Sequence, residues 1–148
     1  GINGKMSEFN AAVGLLQLEQ FETLIEKRKK VYGIYIEYLD DMEGIKCINY
    51  DSDIRSNYSY FPILVQKNFP LSRDQLYDEF KRNNIFTRRY FYPLISNLSI
   101  YSDLESSTKE NLPVANSIAD RVLCLPIYPS LKFKEQIMII NILRSVTK

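Results

Sequence analysis

Apolar residues in the first part of the chain recur in steps of three and four: Phe9, Val13, Leu16, Phe21, Leu24, Ile25, Val31, Tyr32, Tyr35, Tyr38, Leu39 and Met42. That is the helical period, and no proline interrupts it. The pattern predicts one long helix from Ser7 to Met42, with Ser7 as cap and Glu8 complementing the helix dipole. Glu26-Lys27-Arg28-Lys29-Lys30 is a solvated charged patch. Gly33 marks a bend or a close packing contact, and Gly44 ends the segment.

Beyond Gly44 the period shortens. Ile45–Tyr50 and Tyr58–Gln66 are rich in β-branched and aromatic residues and predict strands, with a polar loop over 51–57 between them. Pro62 points to an edge position or a bulge. Ser72-Arg73-Asp74-Gln75 has capping-box form and opens a helix to about Asn83 that buries Leu76, Tyr77 and Phe80. Ile85–Tyr90 predicts a further strand, running into the loop Phe91–Asp103. A helix begins near Leu112-Pro113, with Val114, Ile118 and Val122 on one face. Val122–Ile127 is a short apolar strand closed by Pro126 and Pro129, and Phe133–Val146 is the last helix. The order describes an α+β fold, a small three- to four-stranded sheet covered by helices. So small a sheet cannot cover the whole first helix. Part of that helix's apolar face is expected to need a partner, either a further part of the protein or another subunit.

With 148 residues, 45% apolar and 25% charged, the composition is that of one soluble domain with a real core. The net charge of 19 − 18 = +1 gives no broad field for nucleic acid or a membrane, and no apolar run approaches the ~20 residues of a membrane span. Gly1-Ile2-Asn3-Gly4-Lys5 carries neither an initiator Met nor a secretory apolar region and reads as a cut inside a longer protein. Cys47 and Cys124 lie in apolar stretches and read as buried structural thiols, which fits a reducing cytoplasm. The chain has no histidine, which removes Ser-His and Cys-His nucleophiles, histidine-ligated zinc and histidine acid–base work. Two distant cysteines make no metal site. The five glycines are unclustered, so there is no glycine-rich phosphate loop.

Three stretches carry the remaining information. Gly1 to Met6, a polar loop ahead of a helix, is either an anion site or a helix-entry turn. In Thr87-Arg88-Arg89-Tyr90-Phe91-Tyr92-Pro93, strand alternation puts Arg88 and Tyr90 on one face and Arg89 and Phe91 on the other. Such a segment can grip a phosphate and line a sugar pocket, bind single-stranded nucleic acid, or simply pack aromatics. Leu112 to Asn116 with Leu123 to Pro129 reads as structural.

Together these stretches resemble the nucleotide-sugar aminotransferases of the DegT/StrS type. Gly1-Ile2-Asn3-Gly4-Lys5-Met6-Ser7-Glu8-Phe9-Asn10-Ala11-Ala12 is similar to that family's G-x-N-x-[RK]-M-x-[ED]-x-x-A-A segment, continued by Gly14, Leu15, Gln17, Leu18 and Arg28. The run from Asn84 to Leu94 resembles the segment before the sugar-facing loop, and Ala119 to Pro129 the closing strand. The resemblance covers nearly the whole chain. It implies the C-terminal small domain of a fold-type I transferase dependent on pyridoxal phosphate. Residues 1–44 would form an inter-domain and dimer-interface loop and helix, and 45–148 the small α+β domain.

By the same resemblance, Asn3 and Lys5 match groups that reach the cofactor phosphate of the neighbouring subunit, and Arg88, Arg89, Tyr90 and Tyr92 match the stretch near the nucleotide-sugar. The lysine that carries the cofactor covalently lies, in the family, ahead of the segment that opens here, and Lys5 does not take its place. No catalytic residue and no metal is therefore assigned, and the chain alone is expected to be inactive. Many relatives have a histidine shortly after the Tyr-Pro pair, where Leu94-Ile95-Ser96 stands here. The implied reaction is amination of a nucleotide-linked keto-deoxysugar, with a lean toward thymidine diphosphate, glutamate as donor and a homodimeric, cytoplasmic enzyme. The rivals are a non-catalytic module using Arg88 to Tyr92 on single-stranded nucleic acid, and a regulator that kept the fold.

Overall fold

The computed structural model describes residues 4–48 and 54–147. Asn3, the end of the predicted segment Ile45–Tyr50 and the start of the 51–57 loop lie outside them. Helix α1 spans Glu8–Leu39, 32 residues, a rod of about 48 Å. Ser7 caps it as expected, its hydroxyl accepting from the Asn10 N–H at 3.2 Å. The helix stops three residues before Met42, with Asp40 as its C-cap.

Strands β1 (Ile45–Cys47), β2 (Phe61–Val65) and β3 (Val122–Leu125) form one antiparallel sheet in the order β1-β2-β3. Helix α2 (Arg73–Arg82) precedes a run of short 3-10 turns between Ile95 and Ser107. Helix α3 (Pro113–Ala119) leads into β3, and α4 (Phe133–Val146) closes the fold. The long helix, the small sheet and the covering helices are as the pattern predicts. The Ser72/Gln75 capping box is complete: the Gln75 N–H reaches the Ser72 hydroxyl at 3.3 Å, and the Ser72 N–H reaches Gln75 Oε1 at 2.9 Å.

Four expectations are corrected. Ile85–Tyr90 is not a strand: it meets the sheet only at Arg88, which bridges Cys124. Pairing cannot continue one way because the register next brings Pro126, which has no N–H. It stops the other way because the chain turns back toward α2. Pro62 is neither at an edge nor in a bulge but in the central strand, opposite Cys124. The Cys124 N–H and C=O are both spent on Arg88, at 2.7 and 3.0 Å, so Pro62 and Cys124 form a non-hydrogen-bonded pair. The missing N–H of Pro62 faces the other side, where β1 has already ended at Cys47, and no ladder bond is lost. Gly33 makes no close contact, since a Cβ there would meet nothing within 4 Å, and α1 runs through it unbroken. Gly44 lies beyond the helix end, at φ +78°, in the turn into β1.

The apolar face of α1 divides in two. Ile25, Val31, Tyr32, Tyr35 and Leu39 are buried, and the last four belong to a single core shared with all three strands, Leu76 and Phe80 of α2, and Ile139, Ile140 and Leu143 of α4. Tyr35 is fully buried and donates its hydroxyl to the Pro126 carbonyl at 2.9 Å. Buried Gln136 donates to the Val31 carbonyl at 2.9 Å and ties α4 to α1. Ahead of Ile25 the same stripe is uncovered: Phe9 is 77% exposed and Leu16 61%, with Leu15, Leu18 and Phe21 also open to solvent. Covering such side chains is typically worth about 1.5–3 kcal/mol each, and this half of the helix presents them as an uncovered apolar surface.

The two glycines respond to substitution in opposite directions. A Cβ on Gly44 would sit 2.8 Å from the Phe69 Cα on a left-handed backbone, so Gly44→Ala should cost about 2 kcal/mol or more. Gly33→Ala should add about 0.5–1 kcal/mol, since it replaces a helix-interior glycine in open space. Urea unfolding midpoints of the two variants check both signs.

Candidate functional site

The candidate loop is delivered by the end of α2. Asn83 is the C-cap, and Asn84 takes the left-handed conformation at φ 57°. The Ile85 N–H returns to the Phe80 carbonyl at 2.9 Å and the Asn84 N–H to the Lys81 carbonyl at 3.1 Å. This paired closure is the Schellman motif. It turns the chain to run beside β3, where Arg88 is pinned by its two backbone bonds to Cys124. Beyond it the Tyr90-Phe91 and Tyr92-Pro93 peptides are cis.

Arg88 and Tyr90 do share a side although no strand forms. The Arg88 guanidinium donates to the Tyr90 hydroxyl at 2.8 Å. The Tyr90 ring in turn meets Tyr60 edge-on, with centroids 5.1 Å apart. Both residues line an open cleft of about 350 Å³ walled by Tyr60, Phe86, Pro126 and Tyr128. Arg88 makes no ion pair among the described residues and is exposed. Its positive charge is available at the rim of an aromatic-walled cleft.

Arg89 goes elsewhere. It donates to Asp74 Oδ1 at 2.8 Å and lies over the rings of Tyr77, at 4.6 Å, and Tyr92, at 5.4 Å. It is therefore Tyr92, not Phe91, that accompanies Arg89, because the chain turns rather than continuing as a strand. Arg73 completes this cluster. Only 3% exposed, it donates to the Ala119 carbonyl at 2.8 Å, pairs with Asp74 Oδ1 at 2.8 Å and stacks over Tyr92 at 4.5 Å. Burial works to raise the Asp74 carboxyl, but the Arg89 hydrogen bond and the adjacent Arg73 outweigh it and hold the group below its ordinary value. The Asp74 hydrogen bond likewise raises Arg89. The contribution of Asp74 to folding is thus present above about pH 4, the ordinary carboxylate value, and is lost as pH falls through its lowered folded value.

Arg73, Asp74, Tyr77, Tyr60 and Tyr128 carry no signal of a site in the sequence. The first two look only like the opening of a capped helix, and nothing in the local pattern shows that Arg73 is buried against residues 46 and 19 positions further on, Ala119 and Tyr92. Lys5 is exposed ahead of the Ser7 cap. The stretch from Glu8 to Ile25, where α1 enters the core, spans roughly 26 Å, so Lys5 stands well outside the domain that carries Arg88. Asn3 lies outside the described residues. Among those residues no cluster of histidine, cysteine or acidic side chains could hold a metal ion, and no helix is long and apolar enough to cross a membrane.

The profile of the DegT/DnrJ/EryC1/StrS aminotransferase family matches residues 1–144. The chain is 54% identical over 131 residues to a dTDP-4-amino-4,6-dideoxy-D-glucose transaminase of Escherichia coli, covering 88% of this chain and 35% of that protein. It is 44% identical over 147 residues to the Shigella dysenteriae protein of the same description, covering 99% and 39%. Among solved structures, S. venezuelae DesV in complex with a ketimine intermediate superposes with a TM-score of 0.87 at 24% identity, covering 98% of this chain and 38% of DesV, a likeness of fold. The chain spans little more than a third of the length of the curated relatives it matches. It belongs to the DegT/DnrJ/EryC1/StrS aminotransferase family.

Both cysteines are buried. Burial, then the charge of Asp40, pushes the Cys47 thiol up to about 11. Burial pushes Cys124 to about 11 as well, against a backbone hydrogen bond from Tyr90. Thiols of that kind carry almost no thiolate at neutral pH. A thiol reagent should leave both unlabelled in the folded chain and label both in denaturant; rapid labelling of Cys124 under native conditions would show that its cleft opens.

Proposed function

We propose that this chain supplies the substrate-side and subunit-facing parts of a pyridoxal-phosphate-dependent transaminase that aminates the ketone of a deoxyhexose linked to thymidine diphosphate. The observation that carries the reading is Arg88, a cation with no carboxylate partner among the described residues, held by its backbone at the rim of a cleft lined by Tyr60, Tyr90 and Tyr128. A guanidinium suits a diphosphate, and tyrosine rings with polar tips suit a base or a sugar. The 54% identity to a dTDP-4-amino-4,6-dideoxy-D-glucose transaminase supports thymidine as the base and C4 as the position aminated. Glutamate is the proposed donor and the cytoplasm the proposed location.

In this arrangement residues 1–44 form the loop and helix at the subunit interface, and residues 45–148 the small domain. Lys5, with Asn3 before it, would reach the phosphate of the partner's cofactor. The exposed ammonium beside the open start of α1 fits a phosphate, because both the charge and the helix dipole favour an anion there. When bound, the cofactor supplies the electron sink for the reaction. This chain's own groups bind and orient the sugar and close the site. No lysine here matches the one that carries the cofactor, so the chain alone is proposed to catalyse nothing. The uncovered half of α1 is the proposed contact surface of a homodimer.

Two measurements test this reading. In the complete protein, Arg88→Ala should raise KM for the dTDP-linked keto-sugar roughly ten- to a hundredfold, the loss of one charge-assisted hydrogen bond worth about 1.5–3 kcal/mol. Cofactor content should stay at the parent level; an unchanged KM in the folded variant removes the loop from the site. For assembly, Phe9→Asp with Leu16→Asp should shift the complete protein from dimer toward monomer in sedimentation velocity. A dimer of undiminished affinity would move the interface away from α1.

A further inference from the structure

We infer that Asp74 is a positioning residue for the substrate loop, acting through Arg89 and Arg73 to fix Tyr90 and Tyr92. The inference rests on the reading of the Arg88 cleft as the nucleotide-sugar site. The loop is held at two points. At residue 88 the backbone is bonded twice to Cys124. At residue 92 the ring lies against two guanidinium groups, Arg73 at 4.5 Å and Arg89 at 5.4 Å. Tyr90 sits between these points.

The second point depends on one carboxylate. Arg73 Nε and Arg89 Nη1 both meet Asp74 Oδ1 at 2.8 Å. Arg73 cannot leave, because it is buried and bonded to the Ala119 carbonyl. Arg89 can leave, since among the described residues only Asp74 and the faces of two rings retain its guanidinium. Without the negative charge the two cations would repel one another at short range, and Arg89 would swing toward solvent and release Tyr92. Asp74 also turns Arg89 toward α2, in a cluster of two cations and one anion that keeps a net charge of +1. Of the two arginines in the loop, Arg88 is the one that lines the cleft. The paired arginines of the sequence are not two copies of one function: one faces the ligand and the other braces the loop.

Asp74→Asn in the complete protein tests this. It keeps the size of the side chain at a half-exposed position, so the fold should survive. Tyr77→Leu removes a ring beneath Arg89 without altering a charge and serves as the second variant. Both should raise KM for the dTDP-linked keto-sugar, Asp74→Asn by about tenfold, within the range that follows from displacing positioned groups, and Tyr77→Leu by less. The half of the reaction run with the amino donor alone should be unchanged, which a general loss of structure would not allow. Amide hydrogen exchange at residues 89–92 should be faster in both. Unchanged exchange, or faster exchange with an unchanged KM, overturns the positioning role. A loss equal in both halves of the reaction also overturns it, as damage to the fold. Arg88→Ala separates this from the underlying reading. If that variant is silent while Asp74→Asn raises KM for the sugar alone, the brace stands and the assignment of Arg88 falls.

Discussion

The structure depends on the seating of one helix. Tyr35 has no solvent exposure, packs its ring 4.7 Å from that of Phe61 in the central strand, and spends its hydroxyl on the Pro126 carbonyl just past β3. A buried phenol needs such a partner, and burial raises its pKa far beyond any physiological range, so the hydroxyl stays protonated and stays a donor. This single side chain crosses from α1 to the far end of the sheet, 91 residues away in sequence. With Tyr32 bonded to the Ile48 carbonyl and Gln136 to Val31, it fixes the axis of α1 against the sheet. Among the described residues, the part of α1 ahead of Ile25 then runs out from the core with its large apolar side chains open to solvent.

The two groups of candidate residues follow from that geometry. Lys5 stands at the open end of α1, and the arginine–tyrosine loop stands at the base, beside β3. The cluster around Asp74 belongs to the base. There two cations share one anion and lie over two aromatic faces, and a half-exposed carboxylate settles the conformation of a loop several residues long.

Much of this was legible in the sequence because it depends on period and punctuation. The step of three and four across Phe9 to Leu39, the Ser72/Gln75 box and the predicted helix Phe133–Val146 each fix an element through local physics, and the structure keeps these elements, although Phe133 itself is exposed. The excess length of α1 over so small a sheet pointed to an uncovered face, and the uncovered face is there. What escaped the sequence is non-local. Pro62 is tolerated in a central strand because of where the hydrogen bonds of Cys124 go, which no window around Pro62 contains. Residues 85–90 have strand composition but gain only one bridge, because Pro126 lies at the next register position and Arg89 is drawn to α2. Arg73 reads as a surface charge at the start of a helix, yet it is among the most buried side chains. Its burial is decided by Ala119 and Tyr92, neither of them near it in sequence.

The sheet is also closed against recruitment. Its β1 edge is three residues long and carries exposed Lys46, and its β3 edge is occupied by a lone bridge and terminated by Pro126. Short, charged or blocked edges resist the addition of a foreign strand. Neither end of the sheet can therefore grow into a continuous ribbon with a second molecule. Among the described residues, the open half of α1 is a surface where association could instead run through side-chain packing, in which registry and partner can be specified.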